Sequence, residues 1–69
     1  MSEESDLYAV LEVAPHACGA VIEAAFVVLR EMTARDPSDN AVSRLVALNR
    51  AHAVLGDPDR RARYDRERH

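Results

Sequence analysis

The spacing of apolar residues along the chain predicts four helices and no strands. Apolar side chains recur every three or four residues over residues 18–33 and again over residues 41–55, as expected for helices with one buried face. A short helix at residues 7 to about 12 and another at 58 to about 66 flank them. The predicted core consists of Tyr8, Leu11, Ile22, Ala25, Phe26, Leu29, Leu45, Leu48, His52, Leu55 and Tyr64.

Capping and turn residues set the expected limits of these helices. Asp6 and Asp57 each precede a helical segment and are suited to accept a hydrogen bond from its first free N–H groups. Pro58 fits the first position of the last helix. Gly56 stands where the third helix is expected to end in the left-handed conformation. Pro37 and its polar neighbours predict a loop between the two long helices.

Length and composition indicate one small globular domain. The chain has 69 residues, of which 48% are apolar and 30% charged. We expect a flexible N-terminus at residues 1–5, one helical domain at 6–66 and a short tail at 67–69. The net charge of −3 argues against a nucleic-acid or membrane-surface partner. The single cysteine excludes an internal disulfide, and without a secretory signal the expected location is the cytoplasm.

The arginines of the last helix do not form a purely basic surface. Acidic residues interleave with them and leave residues 57–68 with a charge of about +1. A solvated helix with ion pairs between residues four apart is therefore predicted, with Arg61 beside Asp57 or Asp65. The arginines concerned are Arg60, Arg61, Arg63, Arg66 and Arg68.

No residue pattern in the chain predicts catalysis, a cofactor or a metal site. The sequence has no glycine-rich phosphate loop, no nucleophile–base set and no Cys/His spacing typical of a metal centre. His16, His52 and His69 are widely scattered, and His52 is expected to pack partly buried. Cys18 lies at a helix start without a neighbouring cation or base, so a packing or capping role is predicted. We expect the chain not to be an enzyme.

Four segments, in order, resemble motifs of the J-domain, the module through which DnaJ-type co-chaperones drive a DnaK-type ATPase. Residues 6–13 are similar to the family's D-x-Y-x-I-L-G-V, and residues 22–29 to I-x-x-A-Y-x-x-L. Residues 48–55 are similar to I-N-x-A-Y-x-V-L, and residues 56–65 to S-D-P-x-K-R-x-x-Y-D. The resemblance implies an all-α fold, in which two long helices form an antiparallel hairpin flanked by two short ones.

The family's His-Pro-Asp tripeptide is not intact in this chain. Aligned without gaps, it falls on Ala34, Arg35 and Asp36, so that only the Asp is kept. A shifted alignment matches Pro37 but loses both the His and the Asp. The resemblance implies that the tripeptide is essential for stimulating ATP hydrolysis, so we expect stimulation to be weak or absent.

The second helix of the chain, which is the first of the two long ones, also departs from the family on its outer face. Active J-domains carry Lys and Arg there, which dock on an acidic surface of the ATPase. The aligned residues of this chain are Glu23, Ala24, Val27, Val28 and Met32, and none of them is basic. Because charge complementarity governs association rate and register, its loss is expected to weaken docking.

A helical wheel of the second helix places apolar residues around most of its circumference. Val21, Ala24, Val28 and Met32 fall on one flank outside the core stripe, and Val27 falls on the far side. An apolar face that the chain is too short to cover is typical of a partner surface. The partner would be a second copy, another domain of the same chain or a different protein. The alternative is that these are scattered exposed apolar residues without a role.

The sequence thus predicts a divergent J-domain-like module for protein–protein interaction, defective in stimulating a DnaK-type ATPase. Two alternatives remain open. One is a working co-chaperone that tolerates the altered tripeptide, and the other is a helical adaptor that forms homodimers through its second helix.

Overall fold

A computed structural model of the chain describes residues 6–68 and shows four helices in that range. They are α1 (Leu7–Val10), α2 (Gly19–Ala34), α3 (Asn40–Leu55) and α4 (Pro58–Glu67). No strand occurs among the described residues. The all-α prediction is confirmed, whereas the predicted flexible segment at residues 1–5 lies outside the described range.

The long helices α2 and α3 pack side by side in opposite directions. Phe26 in the first half of α2 stacks on His52 near the end of α3. At the other end of the pair, Asp36 just after α2 meets Arg44 near the start of α3. The short helices α1 and α4 both pack against α3.

The core lies where these helices meet and follows the predicted apolar spacing. Six of the predicted core residues are buried: Tyr8, Leu11, Ile22, Phe26, Leu48 and Leu55. The other five are half-buried at its margin: Ala25, Leu29, Leu45, His52 and Tyr64. Leu7, Ala41 and Ala51 are also buried, because α1 and α3 each turn a wider face inward than the larger apolar residues alone indicate.

Both predicted N-terminal caps are present. The Asp6 carboxylate accepts a hydrogen bond from the N–H of Ala9 in α1. The Asp57 carboxylate accepts from the N–H groups of Asp59 and Arg60, and Pro58 occupies the first turn of α4. These bonds satisfy backbone donors that have no partner inside the helix.

Gly56 does not adopt the left-handed conformation that its position predicts. Its φ of −81° and ψ of −10° are right-handed, so the prediction was wrong. A glycine is nevertheless suited to this position for another reason. A Cβ placed there would lie 2.7 Å from the carbonyl oxygen of His52, which is closer than real contacts allow.

Within residues 6–68, the left-handed conformation occurs at Glu12, which follows α1. The helix ends at Val10, about two residues before its predicted end, and Leu11 forms its C-cap. Glu12 then has a φ of 58°, which reverses the chain toward the connector before α2.

Replacing Glu12 by glycine is expected to stabilise the domain by up to about 1 kcal/mol. A left-handed φ costs a residue with a Cβ about 1–2 kcal/mol, and glycine removes that cost. The greater conformational freedom of glycine in the unfolded chain offsets about 0.5–1 kcal/mol of this stabilisation. Urea unfolding followed by circular dichroism would measure the change. Glu12→Ala is the matched control, since it removes the carboxylate but keeps the Cβ. Equal stability of the two variants would contradict the explanation.

The last described residues continue α4 and contact the region of α1. Helix α4 extends to Glu67, one residue beyond its predicted end. The guanidinium carbon of Arg68 lies 5.2 Å from the ring centre of Tyr8 and 5.6 Å from that of Tyr64. Arg68 also lies 3.7 Å from the carboxylate of Asp6. Arg68, the last described residue, thus contacts the N-cap and the first turn of α1.

Candidate functional site

The residues aligned with the tripeptide lie where α2 ends. Ala34 is the last residue of α2, and Arg35 is its C-cap, with an N–H that donates to the carbonyl oxygen of Met32. The N–H of Asp36 donates to the carbonyl oxygen of Thr33. The structure therefore brings Ala34, Arg35 and Asp36 together at the helix terminus, with the side chains of the first two exposed.

Asp36 is already bound by groups of its own chain. Its carboxylate accepts a hydrogen bond of 2.9 Å from the N–H of Ser38 and lies 3.4 Å from the Arg44 guanidinium. The hydrogen bond to Ser38 is the main cause that lowers the pKa of the Asp36 carboxyl, and the charge of Arg44 adds to it. Asp36 thus shapes the loop, as a turn-forming Asp does, while Pro37 beside it is exposed.

Thr33 is a residue of this region that the sequence analysis missed. Its side chain is buried, and its hydroxyl oxygen has no hydrogen-bond partner among the described residues. The signal was present, because Thr33 continues the buried spacing of Ile22, Phe26 and Leu29 by one more helical turn. It was overlooked because the residue is polar.

The outer apolar face that the sequence predicts for α2 is exposed except at Val27. Val21, Val28 and Met32 leave 49%, 54% and 59% of their surface accessible, and Ala24 is also exposed. Val27 differs from the prediction because it is half-buried and packs against the core. We therefore define the α2 stripe as Val21, Ala24, Val28 and Met32.

Helix α3 exposes a second set of apolar residues that was not predicted. Val42 and Val46 are 70% and 53% exposed, and Ala53 is exposed further along the helix. Together with Asn49, these residues are four, three and four positions apart, which is the spacing of a helix–helix seam. This surface could therefore have been predicted from the sequence. We call Val42, Val46 and Ala53 the α3 stripe.

His52 has the packing role expected of it. Its ring stacks on Phe26, with ring centres 3.9 Å apart and planes inclined by 7°. Its Nε2 atom lies 2.8 Å from the Oε1 atom of Glu23, and Arg30 lies over the Phe26 ring. These contacts tie one edge of α2 to α3. Cys18, by contrast, is exposed at the N-cap of α2 and makes no capping bond, so the predicted packing or capping role was wrong.

Arg61 joins α4 to α1 and to the connector between α1 and α2 through a polar network. Its Nε–H donates to the Tyr8 hydroxyl at 3.0 Å, and one terminal nitrogen donates to the carbonyl oxygens of Pro15 and Ala17 at 3.1 and 2.6 Å. The Tyr8 hydroxyl in turn donates to the Asp65 carboxylate at 2.5 Å. The predicted pairing of Arg61 with Asp57 or Asp65 is not among the ion pairs of the described residues.

The two tyrosines complete this junction between α1 and α4. The Tyr64 hydroxyl accepts a hydrogen bond of 2.8 Å from the N–H of Leu7, and the rings of Tyr8 and Tyr64 have centres 5.9 Å apart. Burial is the main cause that raises the pKa of the Tyr8 hydroxyl, and the bond to Asp65 adds to it while Arg61 opposes it. The neutral hydroxyl is therefore the form that the folded chain favours.

Comparisons with known proteins do not assign the chain to a family. No family model, no curated protein and no solved structure matches it. None of the described helices has the length and apolar character needed to cross a membrane. Within residues 6–68, no group of three or more His, Cys, Asp or Glu side chains is arranged to hold a metal ion.

Proposed function

We propose that this domain is a J-domain-like module for protein–protein interaction that stimulates a DnaK-type ATPase poorly. The observation that carries the proposal is the environment of the tripeptide positions. Ala34 and Arg35 offer neither an imidazole nor a proline ring, and the one retained residue, Asp36, is already held by Ser38 and Arg44. A partner would have to displace these contacts to reach the Asp36 carboxylate.

Contacts between the first and last motifs support the family likeness. Tyr8 belongs to the segment that resembles D-x-Y-x-I-L-G-V, and Arg61, Tyr64 and Asp65 belong to the one that resembles S-D-P-x-K-R-x-x-Y-D. These residues are more than 50 positions apart in the chain, yet their side chains form one network. A chance match of short motifs would give no reason for them to meet.

The surface of α2 supports the proposal that the domain stimulates a DnaK-type ATPase poorly. Its exposed flank presents Ala24, Val28 and Met32 where an active J-domain presents basic residues. Such a surface offers an acidic ATPase no charge to attract it, so association is slow and weakly oriented. Apolar side chains at these positions suit a partner whose own surface is apolar.

The test is single-turnover ATP hydrolysis by a DnaK-type chaperone, with and without the domain. We expect the unaltered chain to give less than about a tenth of the stimulation of an intact J-domain, a loss of more than about 1.4 kcal/mol in transition-state stabilisation. The variant Ala34→His, Arg35→Pro should recover part of it. Ala34→Asn, Arg35→Pro is the matched control, because it carries the same proline without the imidazole.

A second variant separates the effect of the altered tripeptide from the effect of the missing basic residues on α2. Adding Ala24→Lys and Val28→Lys to the restored tripeptide supplies the missing positive charge on α2. Recovery in either restored variant, but not in the control, supports a degenerate J-domain. Full stimulation by the unaltered chain would show that the altered tripeptide is tolerated. Absence of stimulation from the combined variant, with its helical spectrum intact, would overturn docking of the J-domain type.

A further inference from the structure

The domain has two exposed apolar stripes of similar length, one on each long helix. The α2 stripe extends over 12 residues from Val21 to Met32, and the α3 stripe over 12 residues from Val42 to Ala53. The five large side chains among them are each about half exposed or more. Neither stripe is covered by another described part of the chain, so each is free to meet a partner helix.

We propose that the α2 stripe of one copy packs on the α3 stripe of a second copy, so that the domains associate head to tail. This names the partner of the α2 surface and to that extent rests on the proposed interaction function. It does not depend on any contact with a DnaK-type chaperone.

The charges of the two helices favour this pairing over the symmetric ones. Helix α2 has a net charge of −1 from Glu23, Arg30 and Glu31. Helix α3 has Arg44 and Arg50 and no acidic residue, which gives +2 with neutral His52. Two α2 helices or two α3 helices would repel each other, whereas α2 and α3 attract.

An antiparallel register matches both the apolar side chains and a pair of free charges. With Val28 of one copy opposite Val46 of the second, Met32 lies opposite Val42. The same register brings Arg35 opposite Asp39 of the second copy. Both residues are exposed, and neither belongs to an ion pair among the described residues. Asp39 makes no capping bond with its own helix either, so its carboxylate is available.

Such an interface is heterologous, which determines how the assembly grows. Each copy uses one stripe and leaves the other open, so copies add in sequence and do not stop at a closed dimer unless a ring forms. A single helix–helix contact buries little area compared with stable interfaces, which bury at least about 1,200 Å² of total accessible surface. We therefore expect reversible association that increases steadily with protein concentration.

Sedimentation equilibrium over a wide concentration range tests the proposal. The unaltered chain should give a mass that rises past two protomers. Val28→Glu blocks the α2 stripe and Val46→Glu blocks the α3 stripe, and each variant alone should remain at one protomer. Mixed in equal amounts, they should form a 1:1 pair and stop there, because each supplies the stripe that the other lacks. Ala62→Glu, an exposed change on α4, is the matched control and should associate normally.

The results that would overturn the proposal are distinct. A monomer at all concentrations excludes self-association. A dimer abolished by Val28→Glu but unaffected by Val46→Glu shows symmetric pairing of α2 helices, and a mixture that stays monomeric excludes complementary stripes. Circular dichroism confirms that each variant is folded, which is expected because the substituted side chains are about half exposed.

A charge exchange provides an independent check of the register. Arg35→Asp and Asp39→Arg should each reduce the association constant several-fold, because each places like charges opposite one another. The double variant should regain most of the loss. If the double variant associates as weakly as the single ones, the antiparallel register is wrong. These measurements contain no chaperone, so their failure is distinguishable from failure of the proposed function.

Discussion

Replacing Ile22 by alanine is expected to lower the free energy of unfolding by about 3 kcal/mol, whereas Val21→Ala should change it by less than about 0.5 kcal/mol. Ile22 is fully buried between the helices, and Val21, its neighbour in the chain, is half exposed. Removing buried methylene groups loses their transfer free energy and leaves a cavity, which together cost about 2–5 kcal/mol. Exposed substitutions without special contacts change stability little.

Urea unfolding of both variants measures this difference. The total stability of a chain of 69 residues is about 3–10 kcal/mol, so Ile22→Ala is close to the limit that the fold tolerates. Ile22→Val, with an expected loss of about 1 kcal/mol, keeps the comparison measurable if the larger change unfolds the domain. A Val21→Ala loss as large as that of Ile22→Ala would place Val21 in the core and remove it from the α2 stripe.

Replacing Arg61 by methionine is expected to cost about 2 kcal/mol. The change keeps most of the apolar stem but removes the hydrogen bonds to Tyr8, Pro15 and Ala17. Hydrogen bonds from a charged donor contribute about 1.5–3 kcal/mol in net terms, and their loss leaves acceptors in a partly buried junction unpaired. For a domain of this size the melting temperature should fall by about 10 °C.

Arg63→Met is the matched control for Arg61. Arg63 lies on the same helix, is exposed and makes no hydrogen bond or ion pair among the described residues. Thermal unfolding of both variants, with hydrogen exchange at the N–H of Leu7, would locate the effect. That N–H donates to Tyr64 and should lose protection only in Arg61→Met. Equal melting temperatures of the two variants would show that the network does not hold the ends of the chain together.

Local features of the fold could be predicted because their causes lie within a few residues. Asp6 and Asp57 cap helices that begin immediately after them, so the capping bond depends only on nearby N–H groups. The buried face of α2 follows from the helical period, which brings Ile22, Phe26 and Leu29 to one side. The exposure of the α2 stripe followed from the same period.

The errors arose where residue type and helical spacing alone do not decide the backbone conformation or the covered side of a helix. Gly56 suggested a left-handed helix end, but it is right-handed and the extended Asp57 then leads into α4. The absence of a Cβ at Gly56 avoids a clash with the carbonyl oxygen of His52. Glu12 has no local preference for the left-handed conformation that it adopts. Val27 was expected on the open side of α2, yet it packs against the core.

The difference between residues 34–36 and the His-Pro-Asp tripeptide of the family that the chain resembles was visible in the sequence, but the contacts of Asp36 were not. Arg44, which binds its carboxylate, lies on the following helix and comes close only because α2 and α3 form a hairpin. The exposure of Val42 and Val46 on α3 likewise depends on which side of that helix α1 and α4 cover.

The sequence by itself determined the four helices, the N-caps of α1 and α4, the buried face of α2 and the residue types at positions 34–36. All of these depend on residue type and on spacing within a few turns of the chain. The tertiary structure alone decided that Arg61 would turn from its neighbours Asp57 and Asp65 to Tyr8, Pro15 and Ala17. An exposed pair within α4 offers an arginine about 0.3–0.5 kcal/mol, whereas several hydrogen bonds in a partly buried junction offer more. The hydrogen bonds of Arg61 to Tyr8, Pro15 and Ala17 can form only after α4 has packed beside α1.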